Sequence, residues 1–568
     1  MNSGLFNVRP LPRAASKDFF LLMLLGALLF SAGLGLRGPW PSDEPRLAFI
    51  AQQIVDSGNW LVLERGPEMY ARLGPLFPWL TAALIELTDS LPIAFLLTSI
   101  LSALGTLLLT YDLGKRLWNP TVGLCAGLSL LLTLQFVLQA RTAQVDALLA
   151  LFTTLSVYGF SRALLMGHSS LWLSVAWGAI GLGLLVKPTA WLAALVLLPI
   201  LVASAHEWRQ MRVHPTSWLL VALYLPLAVL PTYLWLQALE AEHPVYRSAY
   251  LLHFLHRGFG FGVQSWFETL TYFPLAVIPL FWLPLALALP WAIPAWGRRL
   301  RRRDGRYLVL LGFVLLAILV ASFLPNKSNA DVLFVLPIFA LALAPLVPGL
   351  IKRDSVQRSA FGLTLLLAGA VFCVALWGRF NYDTGELLFG LKGVSPWNFL
   401  GTIGLIGIVA TLWLKPRRGL VGMAVFFCAT WWLYGAWAYP LLNPQRSGLA
   451  MMTRVGKILG EDAHLGLIAP REQIALQADR KVELFGFSRA LDRQRRAARV
   501  WLDGDEKRWV LLPRAALDDC FKREDARHVG RLSRQNWYLL RGDRVPKIES
   551  NESSGGAPDD GACLTSER

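Results

Sequence analysis

Apolar residues in this chain come in long unbroken runs rather than in the short rhythms of half-buried strands or surface helices. Thirteen such runs lie near residues 19–36, 91–112, 121–140, 146–166, 170–186, 189–205, 217–238, 271–296, 307–323, 332–350, 359–377, 397–414 and 419–438. Each approaches the ~20 residues that a helix needs to cross a bilayer. The pattern predicts an α-helical polytopic membrane protein with about 13 transmembrane helices. The rhythm changes in two places. Between Arg37 and Ser90, Leu47–Ile50 and Phe77–Leu80 alternate with polar residues, which suits helices lying along a membrane interface. After Pro444 the chain turns to strand and helix signals in alternation. Strands are expected at Leu465–Ala469, Val482–Phe485, Trp509–Leu512, Arg527–Leu532 and Trp537–Arg541, and helices at Arg471–Ala478 and Leu491–Leu502. The expected organisation is a membrane domain over 1–440 that includes the 37–90 loop, a small α/β domain over 441–548, and a disordered polar tail over 549–568.

Composition agrees. Of 568 residues 55% are hydrophobic and only 16% charged, against roughly 25% charged in a soluble protein. The net charge of +16 is spread among short loops rather than along one face; this excludes nucleic acid as a partner and leaves the lipid bilayer. If the thirteen segments alternate from an amino terminus placed inside by Arg9, Arg13 and Lys17, the inner loops hold 20 cations against 5 acids. The outer loops up to residue 450 then hold 12 against 14. That is the positive-inside pattern. It puts Lys115, Arg209, Arg212, Arg298–Arg306, Lys352 and Lys415 inside, and the 37–90 loop and carboxy-terminal domain outside. The first segment lacks a small-x-small cleavage site and reads as a retained span. Of five cysteines, Cys520 and Cys563 would share the outer compartment, where a disulfide between them is allowed.

Chemistry concentrates at the outer surface. Asp43 and Glu44 follow the first span in Trp-Pro-Ser-Asp-Glu-Pro-Arg, and Asp146 opens the fourth in Arg-Thr-Ala-Gln-Val-Asp-Ala-Leu-Leu. An acid at a helix start is favoured by the helix dipole, which alone accounts for Asp146 but not for acids at both places. Among the outward-facing cations, Arg72, Lys187, Arg257, Lys327 and Arg446 stand out as candidates. Each is also explained as an interfacial side chain reaching for water. His253 and His256 have no nearby third ligand in sequence, so an ordinary loop role is favoured over a metal site.

The stretches Asp43-Glu44-Pro45-Arg46, Ser57-Gly58-Asn59-Trp60 and Arg141–Asp146 resemble the motifs of the C-type (GT-C) glycosyltransferases. The likeness is to the bacterial transferases that carry aminoarabinose to lipid A, and beyond them to the protein O-mannosyltransferases. In that superfamily the first loop commonly has Tyr-x-x-Lys-Pro-Pro-Leu-x-x-Trp, whose Lys meets the donor phosphate. Here Tyr70, Pro75, Leu76 and Trp79 fit, but Leu73 stands where the Lys belongs. Arg72 is the expected substitute, since guanidinium pairs well with phosphate.

The resemblance implies an inverting glycosyltransferase of a bacterial inner membrane, with its site and carboxy-terminal domain on the periplasmic side. The donor would be a polyprenyl-phosphate sugar, and the acceptor a lipid A-like glycolipid, a protein or a polysaccharide. Asp43 would be the general base. Glu44 and Asp146 would orient the acceptor or a bound divalent cation. Arg72, Lys187, Arg257, Lys327 and Arg446 would neutralise the donor phosphate. The alternative from another class is a transporter or flippase of lipid-linked saccharides, which would carry ionisable groups near mid-membrane and related halves; no internal repeat is present.

Overall fold

The computed structural model describes residues 13–546, except 168, 209–212, 261, 263–264, 326 and 382–394. The tail 549–568, Cys563, Arg209 and Arg212 therefore lie outside the described residues. Every expected apolar segment falls on helix, and the protein is a multi-pass membrane protein. Nine helices among the described residues are long and apolar enough to cross a membrane, or up to eleven if each of two bent pairs counts as one span. Thirteen is thus not confirmed as a count of spans: Ser170–Leu184 has only 15 residues, and Arg13–Ser31 carries Arg13, Lys17 and Asp18 in its first turns.

Some polar residues inside the spans are satisfied locally, while others, Ser99 and Thr153 among them, have no hydrogen-bond partner among the described residues. In Leu91–Leu117 the hydroxyls of Ser102, Thr106 and Thr110 each donate to the carbonyl four residues back, at 2.7–2.8 Å. A buried polar stripe therefore costs little there. The same helix meets Pro120–Leu131 where Gly114 and Gly123 let two backbones touch, a contact that a larger residue would wedge apart.

The two bent pairs explain each other. Pro120–Leu131 and Leu134–Ala140 meet at 71°, and Trp266–Phe281 and Leu285–Arg301 at 105°. A break inside a membrane frees backbone groups that lipid cannot satisfy. Here the Leu134 N–H donates to the Leu283 carbonyl at 2.9 Å, and the Trp282 indole donates to Gln135 Oε1 at 2.7 Å. Gln135 Nε2 then donates to the Asn329 carbonyl at 2.5 Å, tying the break to the start of the Asn329–Ile351 span.

The 37–90 loop folds into the helices Glu44–Ser57 and Leu76–Thr88, joined through a two-residue hairpin, β1 (Glu64–Arg65) and β2 (Glu68–Met69). The carboxy-terminal domain is a five-stranded sheet in the order β4-β3-β5-β7-β6. Its strands are β3 (His464–Leu467), β4 (Val482–Leu484), β5 (Arg508–Pro513), β6 (Arg527–Leu532) and β7 (Gln535–Arg541). β3 is parallel to β4 and β5, and β7 runs antiparallel to β5 and β6. Leu491–Leu502 is helical, whereas the expected 471–478 helix shrinks to Glu472–Ala475. The helix Leu449–Leu459, which the sequence reading passed over, leads into the sheet and packs Met451, Met452 and Val455 on one of its faces. Cys520 is disulfide-bonded and buried; Cys563, the other cysteine of that compartment, is outside the described residues.

This domain docks on the first loop. The Ser488 N–H is shared by both Glu68 oxygens, at 3.1 and 2.9 Å, and Arg65 pairs with Glu472 at 2.5 Å. Arg65 also lies over the Phe487 ring, 4.2 Å from its centroid.

Candidate active site

The acidic pair Asp43-Glu44 opens the first helix of the loop, and its two members have opposite environments. Glu44 is buried and bidentate with Arg37, at 2.5 and 2.8 Å. Its oxygens also accept the Trp40 N–H at 2.9 Å and the Ala143 N–H at 3.0 Å. Arg37 in turn donates to the Arg141 carbonyl at 3.0 Å and lies between the rings of Trp40 and Tyr439. Burial disfavours the charged Arg37 guanidinium, but Glu44 outweighs it and holds the group well above the ordinary arginine range. The assembly clamps the first acidic motif to the second. Arg141 extends the clamp inward, donating to the carbonyls of Trp431 and Ala32.

Asp43, at the cap position, makes no capping bond and pairs with Arg46. Its side chain is 44% exposed. Of the two neighbouring acids, only Asp43 presents oxygens to an open space.

The second acidic motif delivers Asp146 into a buried trio. Lys187 Nζ lies 2.8 Å from Asp146 Oδ1 and 2.5 Å from Asp331 Oδ1. Asp331 also accepts the Ser328 N–H at 2.6 Å through its other oxygen. Burial alone would lower the Lys187 pKa; the two carboxylates reverse this and raise it above the usual lysine range.

Cations gather on a neighbouring corner. Arg257 donates to the Pro325 carbonyl at 3.2 Å, in the same turn as Lys327, and attracts Asp331 electrostatically. His253 is hydrogen-bonded to the Arg72 backbone, and its pKa is lowered by burial and then by the charges of Arg257, Arg72 and His256. Arg72, Arg257 and the two histidines therefore share one electropositive region. Lys327 lies beside it, with its pKa lowered by burial and partly restored by Glu268. Arg72 is exposed. Gly74 lets its loop press on the Leu185 carbonyl, where any Cβ would collide, and Leu76 N–H donates to that carbonyl at 3.1 Å. The loop that carries Arg72 is thereby fixed against the turn that carries Lys187.

The expected residues are thus brought together in three groups, the clamp, the trio and the cation corner, with three changes of reading. Lys187 is not placed as a free phosphate ligand, because two carboxylates hold it. Glu44 is not free to orient an acceptor or a cation, because its oxygens serve Arg37 and two backbone amides. Arg446 lies over the Trp40 ring, 5.2 Å from its centroid, beside the Arg37–Glu44 clamp rather than in the cation corner. Sequence reasoning missed Asp331, whose signal was an acid three residues after Ser328 at the head of a span, and missed Arg37. Among the described residues no group of three or more His, Cys, Asp or Glu is arranged to hold a metal ion.

Residues 72–236 match the family model described as dolichyl-phosphate-mannose-protein mannosyltransferase. The chain is 27% identical over 356 residues to the undecaprenyl phosphate-α-4-amino-4-deoxy-L-arabinose arabinosyl transferase 1 of Pseudomonas fluorescens. That match covers 61% of this chain and 61% of the relative. It is 28% identical over 194 residues to the corresponding transferase of Pseudomonas savastanoi pv. phaseolicola, covering 33% of this chain and 36% of the relative. The matches thus span less than two thirds of these relatives' lengths. Among solved structures, ArnT of Cupriavidus metallidurans bound to undecaprenyl phosphate superposes with a TM-score of 0.72 at 14% identity, covering 94% of this chain and 99% of that one. The chain thus shares the fold of that structure and is similar in sequence to the aminoarabinose transferases.

Proposed function

We propose that the protein is a membrane glycosyltransferase that moves a sugar from a polyprenyl-phosphate donor to an extracytoplasmic, lipid A-like acceptor. The observation that carries this reading is the contrast within the acidic pair: Glu44 is locked into the scaffold while Asp43 is left half exposed next to it. A clamped neighbour fixes the position of a carboxylate that must meet a substrate, as positioned bases require. Asp43 takes the proton of the acceptor hydroxyl as its oxygen bonds to the anomeric carbon. The bond from that carbon to the donor phosphate breaks, and polyprenyl phosphate leaves. Arg72, Arg257 and Lys327 balance the charge that grows on the leaving phosphate. Asp146, Lys187 and Asp331 act together, holding the ends of their spans to one another. Their position at the ends of spans rather than at mid-membrane disfavours the transporter reading.

In this reading the site and the carboxy-terminal domain face the periplasm and Arg298–Arg306 the cytoplasm. Reporter fusions after Arg303 and after Arg480 are expected to report opposite sides; one shared side would overturn the orientation. The function is tested by transfer from a panel of polyprenyl-phosphate sugars with purified protein. Asp43→Asn keeps size and hydrogen bonding but cannot take the proton, so turnover should fall about 10²–10⁴-fold with donor binding unchanged. An Asn variant keeping more than about a tenth of turnover would remove Asp43 as the base.

A further inference from the structure

At the opposite end of the helix Gly305–Ser322 from the Asp331 turn, roughly 27 Å away along the helix axis, two cavities share a wall. The first, of about 260 Å³, is lined by Arg298, Arg299, Arg302 and Arg353 together with Trp291. The second, of about 370 Å³, is lined almost wholly by aliphatic and aromatic side chains. Its one amide, Gln357, is already satisfied by the Ile351 carbonyl and the Leu420 N–H. Leu350 lines both cavities, and both lie between the same two segments, 284–302 and 343–353.

The geometry points to a binding site for an anionic phospholipid, with its headgroup phosphate among the four arginines and an acyl chain in the apolar cavity. Three observations carry this. The arginines converge from two separate segments, three from the end of one helix and Arg353 from the turn before Asp354–Phe380. A simple excess of loop cations at one membrane face requires a number of charges, not their convergence on one pocket. Among the described residues none of the four is in an ion pair, whereas nearby Arg306 is paired with Asp304 at 3.0 Å. Unpaired guanidinium groups around one concavity are geometrically suited to phosphate oxygens. The apolar cavity then selects the source of that phosphate: a soluble anion would use only the arginines, while a lipid uses both walls. Trp291 in the lining suits the headgroup level. Basic pockets between spans at a membrane face are a recurring mode of anionic lipid recognition. The site touches none of the residues assigned to transfer.

The test is native mass spectrometry of the detergent-purified full chain, with dioleoyl phosphatidylglycerol and dioleoyl phosphatidylcholine added at equal concentration. Retention of phosphatidylglycerol should exceed that of phosphatidylcholine by at least about tenfold. The fourfold variant Arg298→Gln/Arg299→Gln/Arg302→Gln/Arg353→Gln should bring the ratio close to one. The control Arg301→Gln/Lys352→Gln removes two neighbouring charges that do not line the pocket, and should keep the preference. If the fourfold variant does not fold, Arg302→Gln and Arg353→Gln singly, one from each segment, should each lower the ratio at least about threefold. Glycerol phosphate and dihexanoyl phosphatidylglycerol should compete at least about tenfold more weakly than the dioleoyl lipid. Equal retention of the two lipids, a preference unmoved by the arginine variants, an equal loss in the control, or glycerol phosphate competing as well as the lipid would each overturn the proposal.

Discussion

Lys187→Met isolates the energetics of the buried trio. Both carboxylates lie within 2.8 Å of the same ammonium, so removing it leaves two negative charges about 5 Å apart. At an effective dielectric of ~20 their repulsion is about 3 kcal/mol, in line with the ~3–5 kcal/mol lost when one partner of a buried pair is removed. The variant should lose about 3 kcal/mol in equilibrium unfolding in mixed micelles. Adding Asp331→Asn removes one of the two charges and should restore about 2 kcal/mol, a coupling that independent sites do not show. The pH dependence follows the same charges. In the wild type the Lys187 pKa is raised, so its contribution is complete below the unfolded lysine pKa and is lost only as pH rises through the higher folded value; stability is flat in this respect near neutrality. A Lys187→Met protein within about 0.5 kcal/mol of wild type, or no rescue by Asp331→Asn, would refute this account, since surface pairs are worth only that much.

Arg72→Ala should weaken donor affinity about tenfold or more, read as a rise in apparent Kd, while Arg72→Lys retains part of it through charge without the bidentate geometry. Gly74→Ala drives a Cβ into the Leu185 carbonyl, so the thermal midpoint should drop, with a cost of about 1–3 kcal/mol, and turnover should fall although every charged group is retained. His253, with its lowered pKa, favours the folded state above the ordinary histidine pKa and disfavours it as pH falls through the depressed value; His253→Gln should flatten the acid limb of the pH–stability profile in the absence of donor.

The apolar runs, the change of composition after Pro444 and the two acidic motifs were all legible, because each is a property of neighbouring residues. The helix Leu491–Leu502 was read to the residue because its apolar positions recur at helical spacing in a charged segment. Span continuity was not. The breaks at Leu132 and at Leu283 lie inside runs as apolar as any other, and they persist because each satisfies the other's freed backbone; no single stretch of sequence contains that pairing. The Lys187 reading failed for the same reason. A cation at a span end looks available until a carboxylate 144 residues away is folded against it.

Asp43 and Glu44 carry this furthest, because their sequence contexts are almost identical and their fates are opposite. Helical geometry turns adjacent side chains by about 100°, so at the start of a helix lying on the membrane domain one of two neighbouring acids must face inward and the other outward. The inward one is tolerable only if its charge is met, and Arg37 with the amides of Trp40 and Ala143 does so. Meeting it requires the 141–146 turn to sit against the first loop, so the residue that looks like half of a catalytic pair instead fixes the distance between the two acidic motifs. The outward acid inherits its position from that clamp and adds only its pairing with Arg46, one helical turn on. In the proposed reaction an outward carboxylate can serve the acceptor while the scaffold stays intact, a part that Glu44, holding that scaffold together, could not fill.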